Sequence, residues 1–105
     1  MSDKIKIFIS QPMSGKTDEE IVNTREVAEA LITAKYWYED ITFIPSFIKK
    51  ANDINPIFCL GSAIMKLADA DIAFFLPGWK ESRGCLIEYE VCERYGIEVC
   101  ELSLK

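Results

Sequence analysis

The sequence predicts an α/β protein: a parallel sheet of four strands with helices on both faces, a three-layer sandwich. Two observations lead there. Strand-like and helix-like runs alternate in the order β-α-β-α-β-α-β, which implies a parallel sheet with right-handed crossovers. The clearest strand runs, the β-branched and aromatic "KIKIFIS" and the apolar "DIAFFL", read as buried strands.

The elements follow in order. Residues 4–10 are the first strand, and "QPMSGK" is a turn. Thr17 is the expected N-cap of the first helix, with Glu20 three residues on as its capping-box partner. Ile21, Ala28, Leu31 and Ile32 recur at helical spacing to about Tyr36. "ITFIP" (41–45) is a short strand stopped by Pro45, and the segment 46–55 is irregular. Pro56 suits the first turn of a second helix that runs to about Ala68. Residues 71–76 form the third strand, stopped by "PGW". A third helix covers 84–95 and ends at Gly96, a C′ glycine, before the last strand, 97–102. With no repeat or linker in sight, residues 1–105 read as one domain.

The expected strand order is 2-1-3-4, flavodoxin-like or Rossmann-like. Ligands of such sheets bind beyond the carboxyl ends of the strands, where the order reverses. That crevice lies between the first and third strands. Its walls are the loops "SQPMSGK" and "PGWKESRG".

Composition narrows the function. The net charge is −5 and there is no histidine, so no basic face invites an extended nucleic acid. A single nucleotide remains admissible, because backbone amides can hold one phosphate. The four cysteines form no C-x-x-C pair, and without histidine no zinc set is complete; no metal or cofactor is expected. Cys85, Cys92 and Cys100 fall inside apolar patterns and read as reduced small hydrophobes of a cytoplasmic protein. The amino terminus lacks the apolar region of a signal peptide, and no run approaches a membrane span of ~20 apolar residues.

Glu88 is the anomaly. On a helix over 84–96, Cys85, Val91, Cys92 and Tyr95 share one side, and Glu88 lies in the middle of that stripe. Glu90 lies nearly opposite, with Glu93 and Arg94, on a solvated face. A carboxylate in a buried stripe costs free energy unless it is paired, hydrogen-bonded or used. One expectation is a structural tie to Lys80, Arg83 or a backbone amide. The other is a group kept ionised by the helix dipole yet poorly hydrated, and so a competent nucleophile.

The segments "KIFISQPMSGKTDEEI", "ADADIAFFLPGW" and "SRGCLIEYEVCERYGIEV" resemble the nucleoside 2-deoxyribosyltransferase-like superfamily, in particular its short bacterial and phage domains of unknown function. The likeness covers nearly the whole chain in the same motif order. It implies that Glu88, four residues after Gly84, is the nucleophile of a transferase or of a deoxynucleoside 5′-monophosphate N-hydrolase. The small-residue loop of that superfamily corresponds to Ser10, Gln11, Met13, Ser14 and Gly15. With Lys16, and with Ser82 and Arg83 of the second loop, it is expected to hold a 5′-phosphate. Gly78, Trp79 and Gly84 complete the expected substrate-binding set, although Gly78 and Pro77 also read as plain turn residues. Two positions depart from the transferase pattern: Ser82 and Ala63 stand where aspartates are expected. The general acid is left unassigned, with Glu81, Tyr89 or a water as candidates. The resemblance also implies a homo-oligomer.

The nucleobase requires a flat apolar wall. Trp79, with Phe8 or Met13, can supply one; alternatively Trp79 plugs the top of the sheet. Phe74 and Phe75 read as core. "MSGK" lacks the spacing of a nucleoside-triphosphate loop. The expected partner is a small nucleoside or nucleotide. The competing readings are a non-catalytic nucleotide binder using the same crevice, and an interaction module with "YWYED" (36–40) on its contact surface.

Overall fold

The computed structural model describes residues 4–45 and 55–104, and the irregular segment expected over 46–55 lies almost wholly outside them. The elements are β1 (Ile5–Ser10), α1 (Asp18–Lys35), β2 (Ile41–Phe43), α2 (Pro56–Leu67), β3 (Ile72–Phe75), a single 3-10 turn (Trp79–Glu81), α3 (Arg83–Tyr95) and β4 (Glu98–Glu101). All three strand pairings are parallel, and the order is β2-β1-β3-β4. Type, sequence order and topology agree with the sequence reading.

The period of two along β1 divides its side chains between two layers. Ile7 and Ile9 face α1, where they pack with Ala28, Ile32, Ile72, Phe74 and Leu76. Phe8 faces the other way, into a core with Leu67 of α2, Ala73 and Phe75 of β3, and Cys85 and Cys92 of α3. One helix therefore covers one face and two cover the other. This explains a departure on α1. Ile21, Ala28 and Ile32 are fully buried as expected, but Leu31 is 38% exposed, because it sits on the flank of a helix with no neighbour on its layer.

Local signals set the helix ends. Thr17 accepts from the Glu20 amide and the Glu20 side chain accepts from the Thr17 amide, so the capping box is complete. Asn55 caps α2 ahead of Pro56. Ser82 caps α3, and Gly96 ends it at φ 74°. Replacing Thr17 by Ala is expected to cost about 1 kcal/mol, read as a lower urea midpoint with an unchanged slope.

Arg25 ties α1 to the sheet: it donates to the Ile44 carbonyl at 2.9 Å and pairs with Glu29 at 3.0 Å. Among the described residues no helix is long and apolar enough to cross a membrane.

Candidate functional site

Ser10 is the last residue of β1, level with Phe75 of β3, and its carbonyl accepts from Leu76 N at 3.0 Å. It therefore sits at the carboxyl edge of the two central strands. The pleat turns its side chain to the same layer as Phe8, toward α3. There its hydroxyl donates to Glu88 Oε1 at 2.5 Å. Both residues are buried, Ser10 at 1% and Glu88 at 8% exposure.

On α3 the buried residues are Cys85, Glu88 and Cys92, one stripe at helical spacing. Tyr95, expected on the same side, is instead 80% exposed, because it lies in the last turn next to the Gly96 cap. Glu90 is on the solvated face and pairs with Arg94 at 3.4 Å.

Among the described residues no lysine or arginine forms an ion pair with Glu88. The structural tie expected to Lys80 or Arg83 is not formed: Lys80 lies over the Trp79 ring at 5.6 Å, and Arg83 is exposed. The expectation that the helix dipole keeps Glu88 ionised is also corrected. Burial dominates and raises its pKa from 4.5 to about 7, with the Ser10 hydrogen bond opposing the rise. The reason is position. Glu88 is in the second turn of α3, beyond the free amides of the first, where the dipole has faded.

Cys85 completes the cluster. Burial pushes its thiol pKa up, with the neighbouring Ser10 and Ser82 hydroxyls opposing the rise. Cys92, one turn past Glu88, is pushed up to about 11 by burial and by the charge of Glu88. The sequence reading treats Cys85 only as a small hydrophobe. Its spacing three residues before Glu88 is the signal that places it there.

The rest of the expected set is distributed as follows. Gln11 points to the opposite layer from Ser10, and its amide donates to the Ile21 carbonyl of α1 at 3.1 Å. Its oxygen is buried without a hydrogen-bond partner among the described residues, as is one oxygen of Asp18. Met13 and Lys16 close a turn through Lys16 N and the Met13 carbonyl at 3.1 Å, with Gly15 at φ 79°. Ser14 and Gly15 are exposed there.

As a phosphate site this loop is weaker than expected. Ser10 is not on its surface but buried and engaged with Glu88. The amides of Lys16, Thr17 and Glu20 are already bonded within the chain, and the first turn of α1 carries Asp18, Glu19 and Glu20. The two crevice loops approach closely at Gly78 (φ 88°), where a Cβ would stand 3.4 Å from Pro12 Cγ.

Trp79 is core, and the same holds for Phe8, which is 1% exposed. The indole is 7% exposed, stacks on Tyr89 at 4.7 Å and 25°, and lies 5.2 Å from the Phe75 ring. Its N–H donates to Glu101 at 3.2 Å. Gly84 packs near Leu60 of α2. Ser82 accepts from the Cys85 amide, so the position where an aspartate was expected is used as a helix cap.

Two open hollows, of about 550 and 540 Å³, lie along the outer side of α3 and over β4. Tyr89 and Glu93 line both, and Glu88 lines neither.

A search of curated proteins finds no match, and neither does a search of solved structures. A family model does match: over residues 5–101 the chain belongs to DUF4406, a domain of unknown function.

Proposed function

We propose that the protein binds a 2′-deoxynucleoside or its 5′-monophosphate over Ser10 and Glu88 and cleaves or transfers its N-glycosidic bond. The supporting observation is a buried carboxyl that, among the described residues, has no cationic partner and one hydroxyl donor, at the carboxyl edge between β1 and β3. An ionised carboxylate buried without a cation costs free energy, which the Ser10 hydroxyl offsets only in part. The resemblance to the nucleoside 2-deoxyribosyltransferase-like superfamily supports the same residue.

The chemistry is that of two displacements at C1′. Without a 2′-hydroxyl the sugar tolerates positive charge at C1′ in an oxocarbenium-like transition state. The C1′–N bond breaks and its electron pair leaves with the base, which takes up a proton. A Glu88 oxygen closes onto C1′ as an ester, as in a retaining glycosidase. The nitrogen of a second base, or a water, then attacks C1′, gives up its proton to solvent and releases the carboxylate. Only ionised Glu88 can begin this, so activity rises as pH increases through about 7.

A second reading has its own observation. Ser82 is spent as a helix cap, and Ala63 is a partly buried apolar group packed against the core, so neither supplies the proton the leaving base needs. This favours a binder that holds the nucleotide without turnover.

One experiment separates the two. The protein is incubated with a panel of deoxynucleosides and their monophosphates, with and without free base, followed by chromatography and intact-mass analysis. Base exchange or release, with a deoxyribosyl adduct that Glu88→Ala abolishes, is the expected result. Thermal stabilisation by a nucleotide with no turnover, retained in Glu88→Ala, establishes the binder instead. Turnover that survives Glu88→Ala removes the nucleophile.

A further inference from the structure

We propose that Ser10 is the positioning residue of the site: its hydroxyl fixes Glu88 Oε1, leaves Oε2 as the oxygen presented to a ligand, and favours the carboxylate over the acid. The role in turnover rests on the reading above. The effect on the proton equilibrium belongs to the pair and stands apart from it.

The geometry carries the argument. Ser10 has no freedom to be elsewhere, since its backbone is paired to β3 and its carbonyl is engaged by Leu76 N. Its hydroxyl has one proton, and the 2.5 Å contact to Oε1 lies in the range of a charge-assisted O–H···O bond.

Among the described residues no group forms an ion pair with Glu88. From α3 itself the titratable neighbours are the thiols of Cys85 and Cys92. The apolar groups of this core are Ala63 and Leu67 from α2, Ala73 and Phe75 from β3, Trp79 from the 3-10 turn, and Ile97 and Val99 from β4 and its approach. The Ser10 hydroxyl is therefore the one described hydrogen-bond donor to Glu88.

A hydrogen bond to the charged form stabilises that form. Removing it favours the neutral acid and frees the carboxyl to rotate. A purely space-filling serine would do neither.

The test is a titration that needs no substrate. Protein labelled with ¹³C at the glutamate carboxyl carbons is followed by NMR from pH 4 to 9, and the Glu88 signal is assigned by its absence in Glu88→Gln. In Ser10→Ala the Glu88 midpoint rises by about one pH unit, tenfold in the ionisation constant. In Ser10→Thr, which keeps a hydroxyl, it stays near that of the parent. Should Ser10→Ala fail to fold, Ser10→Cys, similar in shape but a weaker donor, shows a smaller upward shift. An unchanged midpoint in a folded Ser10→Ala or Ser10→Cys overturns the proposal.

If the parent turns over a deoxynucleoside, Ser10→Ala lowers kcat more than it changes KM and moves the pH–rate midpoint by the same amount as the titration. If the parent turns nothing over, the glycosidic reading fails while the titration still decides the role of Ser10.

Discussion

At pH 8, Glu88→Gln unfolds at a higher temperature than the parent protein, by on the order of 10 °C, and the two converge below pH 4.5. The sign follows from linkage. The folded carboxyl has a pKa of about 7 and the unfolded one about 4.5, so between these values the folded state binds more protons. Stability contributed by the bound proton is fully present below 4.5, is lost as pH rises to about 7, and is constant above it. The loss amounts to about 3 kcal/mol. Glutamine is neutral at every pH and keeps an oxygen that can accept from Ser10, so it escapes the loss. Differential scanning calorimetry of both proteins from pH 4 to 9 measures the gap. A gap that does not widen with pH means that Glu88 is better solvated than its 8% exposure indicates.

Trp79→Ala is expected to lose about 3–5 kcal/mol in urea unfolding. The indole is enclosed by Tyr89 and Phe75, with Lys80 over its ring and its N–H on Glu101. Truncation opens a cavity beneath the β3–α3 loop and leaves Tyr89 without its stacking partner. Trp79→Phe keeps most ring contacts and gives up the Glu101 hydrogen bond, so it loses about 1–2 kcal/mol. A loss below about 1 kcal/mol for Trp79→Ala would mean that the ring is not needed by the core, and would return it to the role of a wall for a nucleobase.

Much of this was legible from the chain. Capping residues, proline and glycine placed the helix ends because those signals are local: Thr17 with Glu20, Pro56, and Gly96. The topology followed from the alternation of elements, and the burial of Glu88 from helical periodicity. Its protonation does not follow, because it depends on how completely the packed layers bury the carboxyl, with an opposing hydrogen bond from Ser10, 78 residues away in sequence. Trp79 was undecided for another reason. A tryptophan in a turn reads the same whether its ring covers the core or a ligand, and only Tyr89 and Glu101 distinguish the two. Ser10 reads both as the end of the first strand and as the start of the binding loop; it ends the strand, and the pleat turns it inward. Spacing alone assigns Leu31 to the core, and spacing carries no information on how many helices share a layer.

The two thiols beside Glu88 give the molecule an intrinsic gauge of its own breathing. Cys85 and Cys92 are sealed and poorly ionised, whereas Cys59 and Cys100 are partly accessible. A thiol reagent will modify the sealed pair only during excursions that lift α3 from the sheet, so the lag between fast and slow labelling reads the frequency of those excursions.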